Sequence, residues 1–552
     1  MNKSKFPTPI IYVCLFLLPF FTNAQEQKTL TAKINWGKEY VEPPNTRVSK
    51  IIEVNGKGVY VLREKYSNGL QTRPKVYLEH FDREMNLKKS VEQELKYKNK
   101  QRDFEDLVML NGQFYLLTTY FNEAKKRTFL FKQKIGSRSL TPSKTMDMIA
   151  DSEARNSENE GEFDLHISRD SSHLLIYNEL PYNKREPERF ALRVFDKQFE
   201  EVWNKNIVLP YADNQMTVEE YRVDNQGNVY LLGVIYQDGA KRRRQGSANY
   251  QYVILAYTNG GEDFTEYKLD IGDKFITDLT FRVGDDGNLV CTGFYSEKGN
   301  YSIKGTYFFR LNAQTKELYN KNLKAFDFDF LTSYMRPKDV EKARKAERSG
   351  DEKRQVELYN FSLDDLILRS DGGAVLVAEQ FFVYEDRNYD NFGAGIGVGG
   401  FNRFPYNNND RFRTDYYYNY NDIIVVNIRP NGEIEWTARI PKLQETVNDG
   451  GYYSSYAMSI LPTGLYFLYN EDGRNFEGNP KKPNRVYNFD GRNSVMTVAQ
   501  IGRSGDVTIF PIFDTNGGGA IIRPKISQQI GKKEMAIYGE RGKYFQFGSL
   551  KF

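Results

Sequence analysis

Apolar residues in this chain come in short runs, each preceded by a tight polar turn, and the arrangement recurs. The clearest instance is Val223-Asp224-Asn225-Gln226-Gly227-Asn228-Val229-Tyr230-Leu231-Leu232, with variants from Val283 to Thr292 and from Leu368 to Val377. An Asn/Asp-Gly turn leading into an apolar and aromatic run reads as the junction of two antiparallel strands. Strand repeats of this length, with no helical period between most of them, predict an all-β fold, a single β-propeller. The second strand of each unit begins near Val59, Phe114, Leu174, Val229, Leu289, Ala374, Leu465 and Met535, at intervals of 55, 60, 55, 60, 85, 91 and 70 residues. Four short strands joined by hairpins fit in about 55 residues. The expectation is therefore eight four-stranded blades, with seven as the alternative because the third and last repeats match least well.

The best-defined unit places Tyr221 to Val223 in the first strand, Val229 to Tyr236 in the second, Tyr250 to Tyr257 in the third and Phe264 to Ile271 in the outermost. Its middle strands are nearly continuous apolar runs, as expected of strands covered on both faces by neighbouring blades. The last repeat offers three strands, 520–526, 534–539 and 544–550, while Thr29 to Trp36 is a strand without a unit of its own. Asn35-Trp36-Gly37-Lys38 resembles Val202-Trp203-Asn204-Lys205 and Glu435-Trp436-Thr437-Ala438, which puts all three tryptophans at one repeat position. The N-terminal strand is thus expected to complete the last blade and remove two open sheet edges.

The two long intervals imply insertions, at about 325–360 and 385–421. The first is charged and mixed in sign from Pro337 to Arg354, with Pro337 suited to a helix start and Glu341 four residues before Lys345. One or two helical turns, or a longer exposed helix, are expected as a solvated connector, with a docking helix for a partner as the alternative. The second holds Gly393-Ala394-Gly395-Ile396-Gly397-Val398-Gly399-Gly400, Phe401-Asn402-Arg403-Phe404 and Tyr416-Tyr417-Tyr418-Asn419-Tyr420. Its formal G-x-G-x-x-G match carries no nucleotide signal, since neither a helix nor a βαβ unit follows. Aromatic rings with Asn and Arg suit recognition, and long loops in compact domains tend to serve function. Phe401, Arg403, Tyr416, Tyr417, Tyr418 and Tyr420 are therefore candidate binding residues. Glu379, a polar intrusion in an otherwise apolar strand, is another.

Residues 1–24 read as a signal peptide: Lys3 and Lys5, an apolar stretch from Ile10 to Phe21, and small Ala24 before Gln25. Residues 25–552 form the propeller domain, and no later segment has the apolar length to span a bilayer. Removal of the leader leaves Cys291 as the sole cysteine, so no intrachain disulfide can form, and size must supply the core. The formal net charge of +4 falls to +2 once Lys3 and Lys5 are gone, which gives no footprint for nucleic acid. Lys241-Arg242-Arg243-Arg244 lies between two strands and reads as a solvated hairpin tip.

Catalytic signals are sparse. The three histidines, His80, His166 and His173, lack metal-pair spacing, and no G-x-S-x-G elbow occurs. Acidic residues recur at the start of the innermost strand: Asp106, Asp164, Glu219 and Asp364 align, with Asp278 and Asp365 near-matches. They are weak metal candidates, since calcium takes six to eight oxygens, and otherwise solvated loop ends. No cofactor is implied. The S-x-D-x-G-x-T-W boxes of sialidase propellers and the Gly-His…Trp-Asp signature of WD40 repeats are missing. Asp422 to Ile428, Gly432-Glu433-Ile434-Glu435-Trp436 and the run Asp371 to Gln380 resemble uncharacterised secreted proteins of Bacteroidota, a resemblance that implies export but no activity. The sequence thus predicts a non-enzymatic binding or scaffold protein of the periplasm or outer cell envelope. Its partner would be an envelope protein or a glycan. The alternative is a carbohydrate-active enzyme, a glycoside hydrolase or lyase, using channel-mouth carboxylates.

Overall fold

The computed structural model describes the chain except residues 1–31, 67–74, 155–162, 182–186, 213, 238–248, 298–301, 334, 351–354, 390–411, 478–485 and 513–518. The residues expected to form a leader and the basic run 241–244 lie outside the described residues. The described residues form eight antiparallel sheets arranged as the blades of a propeller, together with two two-stranded sheets, Lys96–Tyr97 with Lys100–Gln101 and Ser302–Ile303 with Leu358–Tyr359. Blades one to seven span 46–92, 103–153, 164–212, 216–268, 275–325, 361–440 and 456–512, with strands ordered from the channel outward as they occur in the chain. In blade four the strands are Met216–Val223, Val229–Tyr236, Tyr250–Thr258 and Asp263–Lys268.

Blade eight closes the ring. Glu534–Arg541 pairs with Tyr544–Lys551, and Lys33–Trp36 adds outside it, Lys33 opposite Lys551 and Trp36 opposite Gly548. The inner strand expected at 520–526 is instead two short pieces, Ile521–Ile522 and Gln528–Gly531, separated by a 3-10 turn at Pro524–Ile526. Pro524 has no N–H to give to the ladder, so the pairing breaks there. The N-terminal segment does more than add a strand. Tyr40–Val41 pairs with Tyr544 and Phe545, and the Glu42 carboxylate then reaches the buried Arg63 of blade one and, at 3.2 Å, the Tyr538 hydroxyl of blade eight.

The core consists of apolar layers between successive blades. Between blades four and five, Leu232, Val234, Tyr252 and Ile254 meet Phe281, Leu289, Cys291 and Phe309, all of them buried. Cys291 is a packing residue there, and burial pushes its thiol well above the ordinary value. Two tryptophans fasten neighbouring blades. Trp203 of blade three lies on Gly261 of blade four and donates from Nε1 to Gly227 O at 2.8 Å. Trp436 of blade six repeats the arrangement on blade seven, covering Gly505 and donating to Arg503 O at 2.9 Å. Both glycines have positive φ, and a Cβ on either would stand 2.9 Å from the indole. Trp36 instead lies across Gly539 and Gly548 of its own blade, in the layer between blades seven and eight.

The insertions differ in kind. The first carries α1 (Phe328–Thr332) and α2 (Pro337–Arg348), linking blades five and six. No residue of α2 is buried, and Glu341 pairs with Lys345 at 3.0 Å, as the solvated connector requires. The second is not a loop at its two ends. The middle strands of blade six run on, as Ala374–Tyr389 and Phe412–Ile428, into a two-stranded arm. Strand-favouring Tyr, Phe, Val and Thr keep the ladder going. The glycine run 393–400, Phe401 and Arg403 fall outside the described residues. No helix among the described residues is long and apolar enough to cross a membrane.

Candidate functional site: the base of the blade-six arm

A β-bulge marks the channel side of most blades. The inner-strand registers shift around Ser49, Glu105, Glu219, Thr277 and Asp364 in blades one, two, four, five and six. A bulge inserts one residue and re-aims its side chain. Of the acids the sequence aligns, Glu219 and Asp364 occupy bulges, Asp106 follows one and Asp164 lies in a strand without a shift, and they do not form one site. Asp106 is held by Lys50 at 2.5 Å, and Asp164 accepts from the Tyr221 hydroxyl. Glu219 lines a separate cavity of about 460 Å³ with Thr277 and Asp278. Among the described residues, no group of three or more His, Cys, Asp or Glu is arranged to hold a metal ion.

Two concavities merit comparison. The first, about 540 Å³, opens at the channel mouth formed by the turns after the inner strands, with His166, Arg222, Arg282 and Asp365 in its wall. Its charges are taken up by one another. Glu220 pairs with Arg222 and, at 3.2 Å, with Arg282, which reaches Asp365 at 3.2 Å; Thr280 Oγ1 donates to Glu220 at 3.0 Å. Arg222 Nη1 donates to His166 Nε2 at 2.9 Å, and burial, then the two arginines, hold His166 down at about 4, neutral at physiological pH. This network locks the inner strands of blades four, five and six together. His166, Arg222 and Arg282 share one repeat position, two residues before the turn. Aligning the repeats on polar as well as apolar positions is the signal that finds them.

The second concavity, about 410 Å³, lies between blades six and seven where the arm begins, and is lined by Ser362, Asp364, Glu379, Phe381, Tyr420, Ser455, Tyr456, Met458 and Lys525. A register shift between Glu379 and Phe381 ends the apolar part of the hairpin and admits polar residues. Lys442 is their hub. Its fully buried ammonium contacts Glu379 Oε1 at 2.7 Å, Tyr420 O at 2.5 Å and Gln444 Oε1 at 3.0 Å. The other Glu379 oxygen accepts from Ser455 Oγ at 2.7 Å. Glu379 is thus placed as an anchor between two blades, behind the cavity wall.

Asp364, the bulged residue of blade six, opens onto the cavity and accepts from the Tyr456 hydroxyl at 2.7 Å. The protein atoms crowding it, and then the Glu379 charge, push its carboxyl up to about 7. Lys525 donates to the Tyr420 hydroxyl at 2.7 Å and sits 3.9 Å from the ring centroid; burial lowers its pKa from the ordinary lysine value. Beyond the cavity the arm carries an aromatic ladder. Phe381 packs on Tyr420 and Tyr384 stacks on Tyr417, each pair with centroids 4.6 Å apart. Glu445–Val447 pairs with Tyr417–Asn419, and Asn448 closes a two-way bond with Tyr416, 2.9 Å in each direction. Phe381, Val383, Tyr384, Tyr416 and Val447 remain 38–45% exposed. Of the predicted binding residues, Tyr416, Tyr417, Tyr418 and Tyr420 share this strand, with Glu379 at its base. Sequence reading missed Lys442, Tyr456 and Lys525, since nothing local marks them.

No family model matches the chain, and no curated protein matches it. Solved structures similar to it include the WD40 domain of SCAP from fission yeast (8% identity, TM-score 0.37, covering 95% of this chain and 98% of that one). They also include the β-propeller domain of the Trilobed protease from Pyrococcus furiosus (10%, 0.33, 86% and 98%). A third is a protein of unknown function from Bacteroides caccae (11%, 0.25, 72% and 94%). At these scores the likeness adds nothing to the propeller that the strand pairing already establishes.

Proposed function

We propose that this chain is a non-enzymatic binding or scaffold protein of the bacterial cell envelope, which recognises a protein or a glycan through the face bearing the blade-six arm. The observation that carries this reading is the exposed aromatic ladder on the two paired strands of the arm, which Glu445–Val447 and Asn448 brace from one side. Large apolar side chains clustered on a surface mark interaction sites, and tyrosine supplies contact area at low entropic cost. Export is inferred from the leader-like first 24 residues and from the resemblance to secreted Bacteroidota proteins. The test is affinity capture from an envelope fraction with the tagged chain and with a Val383→Ser, Tyr384→Ser, Tyr416→Ser variant. A partner retained by the first and lost by the second, at equal thermal stability, is the expected result. Identical capture by both sinks the assignment.

The rival reading, a carbohydrate-active enzyme, is favoured by one observation: Asp364, near 7, is tuned for proton transfer at neutral pH. Glycoside hydrolysis needs a second carboxylate free to act, and Glu379 beside it is engaged by Lys442 and Ser455. Release of reducing sugar from an envelope polysaccharide by the wild type, absent in Asp364→Asn, would establish the rival.

A further inference from the structure

We propose that the cavity at the base of the arm is a saccharide subsite that takes a neutral sugar residue. Its size, about 410 Å³, falls within the range of small-molecule pockets. Its wall is divided. One part is apolar, from Phe381, Tyr420, Tyr456 and Met458; the rest is polar, from Asp364, Asp365, Glu379, Lys525, Ser362 and Ser455.

The charges select the ligand. Glu379 is neutralised by Lys442 at 2.7 Å and Asp365 by Arg282 at 3.2 Å, which leaves Asp364 and Lys525 as the charged groups facing the space. One charge of each sign then faces the space, so an anionic or a cationic ligand gains one attraction and meets one repulsion. A neutral polyol satisfies both, since its hydroxyls donate to the carboxylate and accept from the ammonium. Phe381, partly exposed and backed by Tyr420 at 4.6 Å, offers an apolar platform for the C–H face of a sugar ring. The inference rests on the binding reading for the face that is used, but not on the distal arm residues that carry it.

The test is calorimetric titration of the mature chain at pH 8 with neutral hexasaccharides (β-1,4-linked glucose, mannose and xylose, and α-1,4-linked glucose). Hexagalacturonate and chitosan hexamer serve as anionic and cationic comparators. Binding of at least one neutral hexamer is expected, weakened about tenfold in Phe381→Leu, Lys525→Met and Asp364→Asn. Phe381→Leu keeps the apolar bulk, so the variant retains the fold while losing the ring. Lys345→Ala on the exposed helix α2 should leave sugar affinity unchanged, and since none of the three test variants touches Val383, Tyr384 or Tyr416, failure of this titration and failure of partner capture are read separately. No heat with any neutral hexamer, tighter binding of a charged one, or equal binding by all three variants overturns it.

Discussion

Blades four and six begin alike and diverge along their middle strands. In blade four, Val229–Tyr236 and Tyr250–Thr258 are covered on both faces, by the apolar layers toward blades three and five. In blade six, Ala374 to Ala378 and Ile423 to Ile428 lie in equivalent layers. Past the register shift at Glu379 and Phe381 the two strands continue outside the layers, and the side chains change from aliphatic to tyrosine, asparagine and phenylalanine. The backbone ladder is the same on both sides of the shift. What changes is the neighbour: a covered strand selects for volume and shape, whereas an uncovered one carries groups that tolerate water and can meet a partner.

The comparison breaks hardest at its hinge. Lys442→Met leaves Glu379 buried without its cation and is expected to destabilise the protein by about 3–5 kcal/mol, measured by denaturant unfolding; Lys442→Met with Glu379→Leu should recover most of the loss. Failure of the double variant to recover would mean that Glu379 is held mainly by Ser455. Next in size, Leu231→Ala in the covered part of blade four should cost about 2–5 kcal/mol. Tyr384→Ala on the arm, which removes one stacked ring from an exposed position, should cost about 1 kcal/mol or less. Equal costs would refute the division between covered and uncovered strand.

A separate effect concerns pH. The Asp364 carboxyl, at about 7 in the fold and 3.8 ordinarily, binds its proton more tightly folded than unfolded, so its contribution is lost as pH rises from about 4 to about 7. Asparagine there does not ionise. The melting temperature of Asp364→Asn relative to wild type should therefore rise between pH 4 and pH 8. Glu471, also raised to about 7, is common to both chains and cancels in the difference. Lys525, Lys442, Glu379, Asp365 and Tyr456 surround Asp364 and set the size of the step. A difference that stays flat across this window would place the Asp364 carboxyl near its ordinary value.

Much of the fold was legible because a propeller repeats. The second-strand starts at Val59, Phe114, Leu174, Val229, Leu289, Ala374, Leu465 and Met535 all fall within one residue of strand starts in the structure. The tryptophan correspondence located outer strands correctly at Trp36, Trp203 and Trp436, including the closing strand. The same alignment placed the acids of the inner strand but could not show that each meets different company: Lys50 for Asp106, Tyr221 for Asp164, Tyr456 for Asp364. The odd composition of 385–421 predicts a loop throughout, while its two ends are ordinary strand, because strand pairing there depends on the partner strand and not on local composition.

By itself, then, the order of residues determined the propeller and narrowed it to seven or eight blades, and it marked the seam that closes the ring, a solvated connector near α2 and the strangeness of the blade-six insertion. These follow from local periodicity and turn chemistry, which act over a few residues and recur. The tertiary structure alone decided which carboxylates are neutralised, that Lys442 binds Glu379 across 63 positions of chain, and that Lys525 of blade eight completes a cavity begun by Asp364 of blade six. Those pairings depend on how the blades pack around the channel, and charge and burial at such a meeting point are properties of the neighbours each residue acquires.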